Sequence, residues 1–153
     1  MRPVQRSEIL DYVTYTDGRE ALRAAVLAAK RPRRLHVGRY LTFLFENRDT
    51  VRYQVQEMMR VEHLVREADI QHELDTYNEL LGGPGELGCT LLIEIDDASG
   101  RGEKLVAWQG LNGHLYLELA DGTRVRPTWD ERQVGDDRLS SVQYLKFDVG
   151  GAT

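Results

Sequence analysis

The spacing of apolar residues divides this 153-residue chain into a mainly helical part, up to about position 81, and a later part of short strands. A short helical segment starts at Ser7. A longer helix, with small aliphatic residues along one side, begins at Thr16 or Asp17 and ends before Pro32. Between positions 34 and 45 the apolar residues alternate instead, which predicts a strand.

Two further helices are predicted between positions 50 and 81, with Thr50 and Asp69 as their N-terminal caps. In one continuous helix the two apolar stripes would be out of register by about 100°. We therefore expect a break near Ala68, so that the two helices form an antiparallel hairpin.

The remainder of the chain carries short apolar runs separated by turn residues, a pattern typical of an antiparallel meander. Asp121 and Gly122 form a strong signal for a two-residue hairpin turn. The predicted strands are Thr90–Ile95, Lys104–Gln109, Leu115–Leu119, Thr123–Arg126 and Val142–Val149. We expect an α+β fold in one domain, with N-terminal helices, a central helical hairpin and a mostly antiparallel β-sheet. Helices and a strand occupy residues 1–81 of this domain, and the meander occupies residues 89–149.

Acidic residues interrupt the apolar stripes of both hairpin helices. Glu62 falls near the middle of the first stripe, and Glu73 lies inside the second. If the hairpin turns near Ala68, Glu62 faces Glu73 and Glu57 faces Asn78. The sequence therefore predicts a carboxylate-rich polar pocket between the helices. The candidate ligand-binding residues are Gln54, Glu57, Glu62, Glu73, Asn78, Arg39 and Arg48.

Two carboxylates in an apolar interface require compensation, because neighbouring like charges cannot both ionise unaided in a low dielectric. They can share a proton, pair with arginine or bind a cation. The last alternative predicts a divalent metal ion, with Glu46, Glu62, His63 and Glu73 as candidate ligands. Their spacing lacks the Glu-x-x-His repeat of di-iron bundles. The competing hypothesis is a non-catalytic interaction protein, or a homodimer, whose acidic residues only form structural ion pairs.

Composition narrows the classes of function. No apolar run is long enough to cross a membrane and no signal peptide is recognisable, so we expect a cytoplasmic location. Cys89 is the only cysteine, so this chain alone cannot hold an iron–sulfur cluster. The first 40 residues are basic within a chain of net charge −5, but no nucleic-acid-binding motif accompanies them, and nucleic acid is not expected as a partner. No nucleophile–base motif, phosphate loop or dinucleotide fingerprint predicts catalytic residues.

Short motifs along the chain resemble those of a known bacterial family. They are FEN at 45–47, Thr50, Gln54, EMMRVE at 57–62, Glu73, YN at 77–78 and the following CTLLIE. The family that they resemble is catalogued as domain of unknown function 3501, and the similarity covers nearly the whole chain. No activity is established for this family. Its members are often encoded beside rubrerythrin-like and iron–sulfur oxidoreductase-like proteins. The resemblance therefore implies an accessory protein in a redox or oxidative-stress setting, with such proteins as partners.

Overall fold

Helices and sheet fall into two compact units in the computed structural model, which describes residues 1–135 and 137–151. The helical unit comprises Met1–Arg33 and Glu46–Leu81, and the sheet unit comprises Arg34–Phe45 and Gly82–Thr153. Within the described residues, four α-helices and a five-stranded antiparallel sheet confirm the predicted α+β fold. No helix in the described ranges has the length and apolar character needed to cross a membrane.

Three α-helices build the helical unit: α1 (Tyr12–Lys30), α2 (Arg48–Glu62) and α3 (Glu67–Asn78). The first of them begins earlier than predicted, because the Asp11 carboxylate caps it. Asp11 accepts hydrogen bonds from the backbone N–H of Thr14 at 3.0 Å and from its hydroxyl at 2.7 Å. The buried core of this unit consists of Val4, Ile9, Val51, Val55, Met59, Ile70, Leu74 and Leu81.

The helical hairpin formed by α2 and α3 breaks at His63, whose φ of 53° is the left-handed conformation typical of a residue that ends a helix. The turn therefore comes before the predicted position near Ala68. At the start of α2, Asn47 is the N-terminal cap, and Thr50 completes a capping box with it. The Asn47 side chain accepts the Thr50 N–H at 2.9 Å, and the Thr50 hydroxyl accepts the Asn47 N–H at 3.0 Å.

Replacing His63 by glycine should raise the free energy of unfolding by about 0.5 kcal/mol, because glycine adopts a positive φ without the steric cost borne by a side chain with a Cβ atom. Urea unfolding of both proteins measures this difference. Glu62→Gly is the matched control. Since Glu62 is the last helical residue, glycine there should lower the free energy of unfolding. Destabilisation of similar size by both variants would contradict the stated role of His63.

The sheet unit is built on five antiparallel strands: β1 (Arg34–Val37), β2 (Leu41–Phe45), β3 (Glu86–Ile93), β6 (Pro127–Thr128) and β7 (Val142–Asp148). Their order across the sheet is β1-β2-β3-β7-β6, so that the last long strand pairs with β3. Two short strands, β4 (Leu117–Glu118) and β5 (Arg124–Val125), pair separately.

One side of the five-stranded sheet carries the core of this unit. The side chains of Phe43, Leu91 and Gln143 lie in register across the three central strands, and all three are buried. Cys89 is also buried, in agreement with its apolar sequence context. The buried apolar cluster consists of Phe43, Cys89, Leu91, Ile93, Ile95, Leu105, Leu139, Leu145 and Phe147.

The segment predicted as one strand between positions 34 and 45 is a hairpin of β1 and β2. Its turn contains Gly38, whose φ of 64° strongly favours glycine. A second correction concerns Lys104–Gln109, predicted as a strand. Most of that segment belongs to helix α4 (Ala98–Ala107), which starts where the Asp97 side chain accepts the Ser99 N–H at 3.0 Å. The apolar residues of this short segment suit either type of element, and the N-terminal cap favours the helix.

Candidate functional site

The predicted carboxylate Glu57 lies at the centre of a polar cluster between α1 and α2. Its side chain is 16% exposed. The Tyr15 hydroxyl donates a 2.6 Å hydrogen bond to Oε2, and Arg19 donates through Nε at 2.9 Å and Nη2 at 2.7 Å. Arg60 Nε lies 3.5 Å from Oε2, and the Tyr53 hydroxyl lies 3.4 Å from Oε1. Glu57 therefore pairs with arginines of α1 and α2, whereas the sequence predicted that it faces Asn78 of α3.

The ionisation of this cluster follows from these contacts. The two hydrogen bonds from Arg19 lower the pKa of Glu57 to about 2, although desolvation acts in the opposite direction. Desolvation, followed by the hydrogen bond to Glu57, raises the pKa of Tyr15 well above its usual value. The carboxylate is thus charged and the phenol protonated over the whole physiological pH range. Such a saturated ion pair holds two helices together and has the character of a structural contact.

The second predicted carboxylate, Glu62, is exposed, while Glu73 is half-buried. The prediction that these two side chains face each other inside an apolar interface is therefore wrong. The reason is local: α2 ends at Glu62, and the neighbouring Val61 and Val65 are exposed as well. The apolar periodicity continues in the sequence beyond the point where the helix leaves the core.

The candidate metal ligands are not brought together. Within the described residues, no group of three or more histidine, cysteine, aspartate or glutamate side chains could hold a metal ion. Glu46 is buried and accepts a hydrogen bond from the Thr50 hydroxyl beside the N-terminus of α2. His63 ends that helix, and its ring lies 5.8 Å from the ring of Tyr12. A site built from Glu46, Glu62, His63 and Glu73 is thus contradicted.

Two other predicted residues, Asn78 and Arg48, form hydrogen bonds to the N-terminal segment. Asn78 holds Val4 by two hydrogen bonds: its Oδ1 accepts the Val4 N–H at 2.9 Å, and its Nδ2 donates to the Val4 carbonyl at 3.0 Å. Arg48 donates to both carboxylate oxygens of Glu8, at 2.7 and 2.5 Å, and to the Arg2 carbonyl at 2.8 Å. Both residues act on the backbone or on another side chain of the same unit. Gln54 is half-buried on α2.

Arg39, the remaining predicted residue, lies in the turn between β1 and β2 and lines a pocket of about 540 Å³ in the sheet unit. Ligand pockets in proteins typically enclose roughly 300–1,000 Å³. The walls come from this turn and from the segment that ends α4 and forms a short 3₁₀ turn (Leu111–His114). The lining residues are Val37, Gly38, Arg39, Tyr40, Leu41, Ala107, Trp108, Gly110, Leu111 and His114.

The chemical character of this pocket is aromatic and cationic. The rings of Tyr40 and Trp108 lie 5.6 Å apart, at 53° to each other. The Arg39 guanidinium is 5.3 Å from the centre of the Tyr40 ring, and Lys104 Nζ is 5.7 Å from the same centre. None of the lining residues is acidic. The pocket therefore combines apolar walls with positive charge at one aromatic side chain.

A buried amide pair supports the wall that carries Leu111 and His114. Asn112 lies in the same 3₁₀ turn, and its Nδ2 donates a 3.0 Å hydrogen bond to Gln143 Oε1 on β7. Gln143 Nε2 in turn donates to the Ser140 carbonyl at 2.9 Å. Both amides are almost completely buried. These hydrogen bonds join the 3₁₀ turn to β7 of the sheet.

Trp108 and His114 are not among the candidate site residues predicted from the sequence, so this pocket was not predicted. The strand prediction for Lys104–Gln109 contributed, because it placed Trp108 within a strand and not at the end of a helix. The available signal was the turn containing Gly38, followed by Arg39 and Tyr40: a cation and an aromatic ring at a position where the chain reverses.

Comparisons with known proteins agree with this structure. A crystal structure described as a novel protein of unknown function from Burkholderia pseudomallei K96243 is 32% identical, with a TM-score of 0.91. The match covers 99% of the present chain and 79% of the Burkholderia chain. The comparison with curated proteins found no match. A family model described as "Protein of unknown function (DUF3501)" matches residues 3–153. As its sequence motifs suggested, the chain belongs to this family.

Proposed function

We propose that this protein binds a small amphipathic anion, with an aromatic or aliphatic body and a carboxylate or sulfonate group, in the pocket beside Tyr40 and Trp108. The observation that carries the proposal is the combination of apolar walls with Arg39 and the absence of acidic residues from the lining. A neutral apolar ligand would gain nothing from the guanidinium. A cation would be repelled by it.

The arrangement of the cations gives the expected orientation of the ligand. Arg39 and Lys104 lie near the same ring, that of Tyr40, whereas Leu41, Leu111 and Trp108 supply apolar surface. The anionic group would therefore contact Arg39, which can form two parallel hydrogen bonds to a carboxylate. The body of the ligand would pack against Trp108 and Leu111. Binding is the whole of the proposed activity, because the lining contains no nucleophile paired with a base.

The test uses three naphthalene derivatives that share the aromatic body and carry substituents of different charge: naphthalene-2-sulfonate, the neutral naphthylmethanol and the cationic naphthylmethylamine. A Trp129→Phe background leaves Trp108 as the only tryptophan, so that its fluorescence reports binding directly. We expect the sulfonate to bind most tightly. Arg39→Gln should weaken its binding about tenfold, as expected for the loss of a charge-assisted contact. Gly110→Phe should abolish binding by filling the pocket, because a side chain at this lining position meets open space and adds no tryptophan.

Arg124→Gln is the matched control. Arg124 also lies over a tyrosine ring in the sheet unit, 4.4 Å from the centre of Tyr116, but does not line the pocket. Its substitution should leave the affinity unchanged. Equal affinities for the three naphthalene derivatives, or equal effects of the two arginine substitutions, would contradict the proposal.

The redox or oxidative-stress setting implied by the family resemblance stays a prediction, as do the cytoplasmic location and the homodimer. An interaction protein, the competing hypothesis from the sequence, is supported by a different feature of the sheet unit, its edge strand.

A further inference from the structure

Strand β1 lies at one end of the five-stranded sheet, and β2 is its neighbour on one side. In the described part of the chain no strand pairs with its other side. All four residues of β1 are exposed. A strand in this position presents backbone N–H and C=O groups that can pair with another extended chain.

The side chains of β1 add an apolar surface to this backbone edge. In the sheet register, Leu35 lies opposite Phe43, and Phe43 lies opposite Leu91, so the three point to the core side of the sheet. Phe43 is 8% exposed and Leu91 is fully buried, but Leu35 is 54% exposed. The apolar side of the sheet therefore continues onto β1, beyond the side chains that cover the core.

The charge of the β1–β2 hairpin indicates the kind of partner. Residues 34–45 contain Arg34 and Arg39 and no acidic residue, within a chain of net charge −5. Pairing of β1 with β1 of a second copy would bring two such basic hairpins together, and like charges on adjacent strands are destabilising. An acidic segment would meet complementary charge.

We propose that β1 binds an extended, acidic segment of another protein, which adds a strand to the sheet. Alternate apolar side chains of that segment would pack beside Leu35, and acidic side chains would lie near Arg34. This mode of recognition takes its affinity from main-chain hydrogen bonds and its specificity from alternate side chains. One residue of β1, Val37, also lines the anion pocket, whereas Leu35 and Arg34 do not, so substitutions at Leu35 and Arg34 test this interaction separately from the pocket.

The probe for this interaction is a short fluorescent peptide of alternating glutamate and valine, measured by fluorescence anisotropy with the intact protein. A lysine–valine peptide of the same length tests the charge. A glutamate–valine peptide N-methylated along one edge tests the strand pairing, because it keeps the charge but loses backbone donors. We expect only the unmodified acidic peptide to bind, and more weakly at high salt.

Substitutions in the protein test whether the acidic peptide binds at β1. Leu35→Asp should weaken binding of the acidic peptide at least about tenfold, and Arg34→Gln about threefold. Val106→Asp is the matched control, since Val106 is 52% exposed in the same unit but lies on α4. It should leave peptide binding unchanged. Circular dichroism of each variant shows whether the fold is intact, which is expected because the substituted side chains are exposed.

Three outcomes would overturn the proposal. The first is equal binding of the acidic and basic peptides, and the second is undiminished binding of the N-methylated peptide. The third is a dimer, seen by analytical ultracentrifugation, that Leu35→Asp dissociates, because the occupant of the edge would then be a second copy of this chain.

Discussion

Replacing Glu57 by glutamine should lower the free energy of unfolding at pH 7 by about 2 kcal/mol, because the substitution removes the charge that pairs with Arg19 in a partly buried cluster. The amide can still accept the Tyr15 hydrogen bond, so the fold is expected to persist. Thermal or urea unfolding measures the loss. Glu62→Gln is the control on the same helix: Glu62 is exposed, and its change should stay within about 0.5 kcal/mol.

The same substitution should change the dependence of stability on pH. The pKa of Glu57 is lowered from an ordinary value of 4.5 to about 2 in the folded protein. A lowered folded-state pKa stabilises the protein above the unfolded pKa, and this contribution is lost as pH falls through the folded pKa. The difference between the native protein and Glu57→Gln should therefore be largest above pH 4.5 and shrink towards pH 2. A difference that stayed constant over this range would contradict the ion pair.

The second large effect is expected at the buried amide pair behind the pocket. Gln143→Ala should lower the free energy of unfolding by about 3 kcal/mol, because it leaves a cavity and removes the acceptor of Asn112 Nδ2. Asn112 Oδ1 already has no hydrogen-bond partner among the described residues. Gln71→Ala, at an exposed position on α3, should change the stability by less than about 0.5 kcal/mol.

A double variant distinguishes the hydrogen bond from the packing. Asn112→Leu alone leaves Gln143 Oε1 buried without this donor, whereas Asn112→Leu with Gln143→Met removes both polar groups at similar volume. Replacing both partners by apolar groups of similar shape destabilises a protein less than leaving one buried polar group without its hydrogen-bond partner. The double variant should therefore be more stable than Asn112→Leu alone. Additive losses in the double variant would show that packing alone accounts for the effect of each residue.

Local patterns were a good guide to the helical hairpin and a poor guide to its contacts. The out-of-register stripes correctly indicated two helices, since a change of helical phase is visible in the sequence. Glu57 was also among the candidate site residues predicted from the sequence. The prediction for Glu62 failed because helical arithmetic assumes that the apolar side stays covered to the last residue. Where α2 ends, that cover is absent, and Val61 is exposed together with Glu62.

The contacts of Glu57 could not be predicted from the periodicity of the sequence. Tyr15 and Arg19 are 42 and 38 residues away along the chain, on a different helix. Which residues of α1 face α2 depends on how the two helices pack. Arg39 and Arg48, which the sequence analysis placed in the same candidate pocket as Glu57, are not its partners. Arg48 instead pairs with Glu8, and Arg39 lies in the other unit.

The α+β class, the number of hairpin helices and the apolar setting of Cys89 can be read from the amino-acid sequence alone, whereas the turn at Gly38 divides a segment that the sequence predicted as one strand. The first three features follow from periodicity and propensity, which act over a few positions. The ion pair of Glu57 with Arg19, and the pocket lined by Arg39, Tyr40 and Trp108, depend on tertiary packing. The turn at Gly38 and the end of α4 are about 70 positions apart in the sequence. Long-range packing, not local pattern, brings them together.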